Sequence, residues 1–419
     1  MTYRLTIDLD RHGERWAMLL DCSGLPLYYP TLFNTTRVRN ARKATATQEQ
    51  YLTAIKVLHD YCDTERINLI QRILDKKFLT PGELDGLSDA CRVKKRGVKN
   101  SRVVSLKKGY TPPVPKVNDT THYLYLRRIA EYSKWLCDEL LGSDRFSDQT
   151  SRAVEAFVES IKARARTSAS RAGDDDETVR GMTDAQEIQL FEILRPGSNL
   201  NPWADHGVQI RNYLVAKLLD LTGARGGEIL NVRTGDIDWE AGTLKIVRRA
   251  DSKQDSRRRQ PRAKTNQRAI PLTPGTLEEI RTYIVGVRKH IPNAAAHSCL
   301  FVAHKSGPTQ GKELSLSSLQ AMFATIRGVA PELDISAHDL RHRWNWRYSE
   351  GMEHQQKIGY EEAEAMRNIL GGWKPGSPTP GKIYNKRHVK KKADEAMLAL
   401  AHQREREMEE LKKAQKTHG

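Results

Sequence analysis

Leu218-Leu219-Asp220-Leu221-Thr222-Gly223-Ala224-Arg225-Gly226-Gly227-Glu228-Ile229-Leu230 joins the end of one apolar helix to the start of another. The apolar run from about Val208 to Leu221 stops at Gly223, the residue type that most readily closes a helix in the left-handed conformation. A new helix begins near Gly226. Arg225 is left at a tight junction, its backbone held on both sides. A rigid guanidinium suits a phosphate, because it can pair two oxygens at once. Glu228, three residues on, can reach back to orient it. The plainer alternative is a surface Arg–Glu pair with no special task.

Three further stretches lie C-terminal to this junction. Ala263-Lys264-Thr265-Asn266-Gln267-Arg268-Ala269-Ile270-Pro271-Leu272 follows an arginine-rich run. Strand-like patterns at Gly242 to Arg249 and at Arg268 to Leu272 flank a basic loop, so Lys264 sits in a hairpin loop where it could reach a DNA groove; Lys253 is its rival. Ile335-Ser336-Ala337-His338-Asp339-Leu340-Arg341-His342 opens a helix. His338 and Arg341 are three apart and share a helix face, where an imidazole and a guanidinium can handle a proton and a phosphoryl charge. His342 is expected to face elsewhere, as a structural residue. Leu370-Gly371-Gly372-Trp373 precedes a Pro- and Gly-rich loop that ends at Tyr384, beside Lys386, Arg387 and His388. A phenol titrates near pH ~10, so as a nucleophile it needs cations or a base nearby. Each stretch also has an ordinary structural explanation: a solvated lysine, a capped helix, a buried tyrosine.

To the N-terminal side, the sequence alternates at Leu5, Ile7 and Leu9, turns at His12-Gly13 and continues through Trp16 to Leu20. Helical spacing follows at Leu52, Ile55, Leu58 and Cys62, with Thr47-Gln48-Glu49-Gln50 read as a capping box. Thr80-Pro81-Gly82-Glu83 is a second box, ahead of Leu84, Leu87 and Cys91. Residues 93–116 are basic and then proline-rich, and read as an exposed connection. Helical patterns return at Leu126, Ile129, Tyr132, Leu136 and Leu140, and again at Val154, Phe157 and Ile161. Residues 168–181 are polar and aperiodic, which predicts a linker. Thr183-Asp184-Ala185-Gln186 then caps a new helix. Residues 390–419 are highly charged, with a thin apolar line at Met397, Leu400, Ala401, Met408 and Leu411.

The formal net charge of the 419 residues is +17, which favours a polyanionic partner, nucleic acid first. Lys94, Lys95, Arg96, Lys107, Lys108, Arg257, Arg258 and Arg259 sit in loop-like contexts and are the candidate DNA contacts. Five widely spaced cysteines without C-x-x-C fit a reduced compartment and no structural zinc. No run approaches a membrane span, and the N-terminus has no apolar signal region. Gly307-Pro308-Thr309-Gln310-Gly311-Lys312-Glu313 is one residue short of a P-loop and lacks the Ser/Thr after lysine, and no H-E-x-x-H occurs.

Taken together and in this order, the four stretches resemble the catalytic domain of the tyrosine recombinase (phage integrase) family over about residues 182–390. That family carries T-G-x-R-x-x-E, a hairpin lysine, H-x-L-R, then L-G-H or L-G-W, then tyrosine. Arg225, Lys264, His338, Arg341, Trp373 and Tyr384 match it residue by residue. Trp373 stands where many members have histidine; indole N–H can donate to a phosphoryl oxygen but cannot move a proton. Tyr360 is the alternative nucleophile.

The resemblance implies a mainly α fold with a small antiparallel β-hairpin or sheet. A helical core-binding N-terminal domain would precede a tyrosine-recombinase catalytic domain. The expected division is a β unit at 1–30, a helical DNA-binding domain at 31–167, a linker at 168–181, a catalytic domain at 182–390 and a charged helix or tail at 391–419. The implied partner is double-stranded DNA, gripped by a homotetramer on two sites, with no cofactor, metal or membrane; accessory proteins are left open. A DNA-associated protein of bacterial or phage origin in the cytoplasm is expected. A type IB topoisomerase-like enzyme and a non-catalytic DNA-binding protein remain as alternatives.

Overall fold

Alternation at one end of the chain and 3.6-residue periodicity elsewhere translate into a mainly α protein with two small antiparallel sheets. The computed structural model describes residues 3–94, 115–165, 182–263, 265–353 and 359–377, with 397, 398 and 400. Contacts divide the chain into two compact units, residues 1–175 and 176–419. Among the described residues no helix is long and apolar enough to cross a membrane.

In the first unit β1 (Arg4–Leu9) pairs antiparallel with β2 (Arg15–Leu20), placing Leu5 opposite Leu19 and Ile7 opposite Ala17. The Asp10 carboxylate accepts the amides of His12 and Glu14, each at 2.8 Å, and fixes the turn. Helices α1 (Tyr28–Phe33), α2 (Thr45–Thr64), α3 (Leu69–Leu74), α4 (Pro81–Arg92), α5 (Asp119–Leu141) and α6 (Asp148–Ala163) supply the rest. Their apolar stripes form one core around Leu52, Ile55, Leu87, Leu126, Ile129 and Ile161. The predicted box at Thr80 and Glu83 forms: the Thr80 amide donates to Glu83 Oε2 at 2.7 Å. The box predicted at Thr47 does not. Helix α2 starts three residues earlier, after Ala44, without a side-chain cap. The reason is tertiary: Gln48 is buried, and its Oε1 accepts from the Ala17 amide and from Asn34 Nδ2, both at 3.3 Å. The Gln48 side chain ties the first turn of the helix to the hairpin and to Asn34.

A bridge between Val93 and Lys116, with the Lys94 amide donating to the Pro115 carbonyl at 2.7 Å, brings together the two ends of the basic, proline-rich stretch. Lys94 is exposed; Lys95, Arg96, Lys107 and Lys108 lie outside the described residues, as does the predicted linker 168–181.

The second unit contains α7 (Asp184–Leu194), α8 (His206–Thr222), α9 (Gly226–Ile229), α10 (Pro274–Thr282), α11 (Leu316–Val329), α12 (Ala337–Glu353) and α13 (Tyr360–Gly371). Its sheet has β3 (Ile237–Asp238), β4 (Thr243–Ile246) and β5 (Arg268–Pro271) in that order, with Leu244 opposite Ile270 and Ile246 opposite Arg268. A second core gathers Leu218, Leu219, Ile229, Leu244, Phe301, Phe323 and Leu340. Helix α12 packs along α8 and is clipped by ions to α7 and α8: Arg343 pairs with Asp184 and Glu187 of α7, and Arg347 with Glu187 of α7 and Asp220 of α8.

Candidate active site

The site is assembled where α8 ends. Gly223 closes that helix at φ 58°, ψ 15°, and a Cβ there would lie 2.4 Å from the Trp344 ring of α12. Only glycine satisfies both the left-handed backbone and this close approach. The chain then turns through buried Ala224 into Arg225, the residue before the short helix α9. The Arg225 side chain is 28% exposed. Its Nη1 is buried and donates to no acceptor among the described residues; Glu228 Oε1 stands 3.6 Å away, beyond hydrogen-bond distance.

Glu228 does more than orient Arg225. Its side chain is fully buried and is met by four polar groups, three of them hydrogen-bond donors to it. The Arg225 amide reaches Oε2 at 3.2 Å, the Thr265 hydroxyl Oε1 at 2.8 Å, and Arg268 Nη2 Oε2 at 3.0 Å; the Arg225 guanidinium is the fourth group, at ion-pair range. Burial alone would raise the Glu228 carboxyl. Arg268 and the hydrogen bonds from Thr265 and Arg225 outweigh it and hold the group below the usual carboxylate range. Arg268 Nη1 also donates to Thr265 Oγ1 at 2.8 Å.

That cluster in turn receives the turn after α13. The Asn266 amide donates to the Gly372 carbonyl at 2.8 Å, and Asn266 Nδ2 to the Trp373 carbonyl at 3.2 Å. Gly372, at φ 69°, lies so close that a Cβ would sit 2.6 Å from Arg268 Nη1 and 2.7 Å from Thr265 Cβ. The strand end that follows Lys264 is thereby joined to the turn carrying Trp373. Lys264 itself lies outside the described residues.

Helix α12 contributes His338 and Arg341, and they part company. The Asp339 carboxylate accepts the Ser336 amide and hydroxyl at 2.8 and 2.6 Å, and Ser336 Oγ accepts the His338 amide at 3.3 Å. His338 is exposed in the first turn. Arg341 has no exposed surface: Nη1 donates to the Gly223 carbonyl and Nη2 to the Gly371 carbonyl, and its guanidinium lies 4.2 Å from the centre of the Trp373 ring. The shared face predicted from the three-residue spacing therefore divides into a surface residue and a core residue. His342, expected to face elsewhere, meets the His338 ring edge to face at 4.7 Å, because i and i+4 are neighbours on a helix.

A cleft of about 340 Å³ brings Arg225 and His338 together, with Leu319 and Phe323 from α11 and with Arg327 and Ser336. Arg341 and Trp373 are not on its walls. Tyr384 lies outside the described residues; Tyr360 opens α13, and nothing of its side chain is described.

The arginine run predicted to touch DNA is also divided. Arg258 and Arg259 are exposed, and so is Lys253. Arg257 is buried: it pairs with Asp255, and its Nη1 donates to the carbonyls of Leu230 at 2.9 Å and Leu314 at 3.2 Å. It anchors the loop to the residue that follows α9 and to the segment that precedes α11, and cannot also reach a phosphate from that position.

Residue-by-residue matching overlooked Thr265, Asn266 and Arg268. One signal was present for Arg268. It has the strand parity of Ile270, whose side chain is inside, and the observed alternation at Arg268–Pro271 is buried, exposed, buried, exposed.

Residues 189–360 match the model of the phage integrase family. The match covers Arg225, His338 and Arg341 and ends before Trp373 and Tyr384. No curated protein matches the sequence. Among solved structures, the XerA recombinase is 15% identical, with 88% of this chain and 97% of that chain covered, at a TM-score of 0.34. The XerH site-specific recombinase bound to palindromic difH substrate is 14% identical, covering 75% and 84%, at 0.38. The Tn1549 transposon integrase in complex with transposon right end DNA is 14% identical, covering 62% and 84%, at 0.33. The second unit thus contains, over residues 189–360, a domain of the phage integrase, or tyrosine recombinase, family.

Proposed function

We propose that this chain is a site-specific DNA recombinase that breaks and rejoins duplex DNA through Tyr384, for the integration or excision of a mobile element. The observation that carries the proposal is Arg225. It is an arginine on a fixed backbone junction, with a buried nitrogen that has no hydrogen-bond acceptor among the described residues, and it shares a cleft with His338. A phosphoryl oxygen is the natural acceptor for such a group. The +17 net charge suits the rest of the duplex.

In this reading the Tyr384 oxygen attacks the scissile phosphorus, and the P–O5′ bond breaks. The products are a 3′-phosphotyrosyl link and a free 5′-hydroxyl. Lys264 supplies the proton to the leaving oxygen, and His338 assists proton transfer from the phenol. Arg225 bears the developing phosphoryl charge. Arg341, supported by Trp373, joins it only by exchanging a backbone carbonyl for phosphate, since its guanidinium is engaged inside. The phosphotyrosyl bond conserves the energy of the bond broken, so neither ATP nor a metal is required, and a 5′-hydroxyl from another strand reseals it. Two such exchanges on paired sites call for a tetramer.

The test is a denaturing gel of labelled, nicked suicide duplexes, first captured covalently from a random-sequence pool by the wild-type protein. Tyr384→Phe is expected to bind DNA and form no adduct, whereas Tyr360→Phe still forms it. An adduct that persists in Tyr384→Phe and vanishes in Tyr360→Phe moves the nucleophile. No adduct with the wild type, despite DNA binding, supports the non-catalytic alternative.

A further inference from the structure

We infer that Arg268 is a positioning residue for the strand-transfer site, acting through the buried carboxylate of Glu228 to hold Arg225 and the Gly372–Trp373 turn in register. The inference rests on the reading of Arg225 as the phosphate ligand. It goes beyond that reading because Arg268 is not on the walls of the cleft that holds Arg225. Its side chain is only 3% exposed.

The geometry is that of a hub. One carboxylate, Glu228, receives the Arg225 amide and faces the Arg225 guanidinium on one side. On the other it receives Thr265 and Arg268 from the end of the hairpin. Arg268 packs within 2.6 Å of where a Gly372 Cβ would stand, and Asn266 holds the Gly372 and Trp373 carbonyls. Three segments distant in sequence therefore meet on a single pair of opposite charges. The charged groups facing Glu228 among the described residues are Arg225 and Arg268. Of these only Arg268 makes a direct side-chain hydrogen bond to it.

A buried carboxylate is ionised only while a partner compensates its lost hydration. Without Arg268, burial opposes the charge with less to offset it, and the Glu228 carboxyl is pushed up toward its protonated form. A neutral Glu228 no longer pairs with the Arg225 guanidinium, and the phosphate ligand loses its orientation. Raising the pH restores the carboxylate and, with it, the register.

The experiment measures the rate of covalent adduct formation on the captured duplex, for each variant against the wild type at the same pH. Arg268→Gln is expected to lose about 100-fold near neutrality, the cost of a misplaced reacting group. The ratio to wild type should recover as the pH rises, because higher pH restores the carboxylate. Glu228→Gln should be impaired equally at every pH. The double variant Glu228→Gln/Arg268→Gln should be no slower than Glu228→Gln alone, since Arg268 acts through the carboxylate. It removes both buried charges, so it remains measurable if Arg268→Gln alone does not fold. Arg268→Lys, which keeps the charge, should recover most of the rate. A ratio for Arg268→Gln that is flat with pH, or losses that add in the double variant, overturns the inference while leaving the strand-transfer reading intact. Absence of any wild-type adduct removes both.

Discussion

Arg225, Arg341 and Trp373 come from the same set of motif matches, yet the structure uses them differently. Arg225 faces a cleft, while Arg341 is wholly buried against the Trp373 ring and two backbone carbonyls. Trp373 therefore has a packing duty besides any contact its N–H makes with phosphate. Replacing it by alanine leaves Arg341 without its ring and a large void, at a cost of about 3–5 kcal/mol. Trp373→Phe keeps an aromatic face beneath the guanidinium and is expected to melt near the wild-type temperature. Trp373→His keeps a donor and should retain adduct formation. Thermal denaturation and the adduct gel together separate the two duties: a Phe variant that is stable but slow assigns the N–H to chemistry. An Ala variant as stable and fast as wild type excludes both.

At the scale of elements, the decisive feature is how helices stop. Helices α8 and α13 both end on left-handed glycines, Gly223 and Gly372, and each glycine lies against a side chain of another element. Gly223→Ala is expected to lose stability twice over. The left-handed backbone alone costs about 1–3 kcal/mol, and the methyl group would collide with Trp344. The same shift moves the Gly223 carbonyl that Arg341 holds and the junction that carries Arg225. Adduct formation should therefore fall by more than DNA affinity does, checked by filter binding beside the cleavage assay. Equal losses in binding and cleavage would show general unfolding. The end of α8 was legible in the sequence, because glycine after an apolar run is a local signal. The start of α2 was not, because Gln48 is committed to a contact across the chain, with Ala17 and Asn34.

For the molecule as a whole, each unit holds a histidine neutral, half-buried His59 in the first and buried His304 in the second. In the first unit, burial pushes His59 down to about 4 against the opposing pull of Asp63 and Asp60. In the second, burial and then Arg211 lower His304 to about 4. An exposed histidine titrates near 6.5. Between those values the unfolded chain binds more protons than the folded one, so stability is full above about pH 6.5 and is lost as pH falls toward 4. The loss is expected to be about 1–3 kcal/mol for each histidine. Melting curves at pH 7.5 and 5 check it, with His59→Leu and His304→Leu each flattening part of the slope. Equal melting temperatures at the two pH values would contradict it.

By itself the sequence determined the helical character of both units, the hairpin at the N-terminus, the capping boxes at Thr80 and Thr183, and the order of the four motif stretches. All of these rest on periodicity or on residue types acting within a few positions of one another. Tertiary structure alone decided that Arg257 turns inward to Asp255 while Arg258 and Arg259 stay outside. It likewise decided that His338 and Arg341 separate, and that Glu228 gathers Thr265 and Arg268 from about 40 residues away. Whether a charged side chain meets water or another charge depends on what is folded over it, and no local spacing records that.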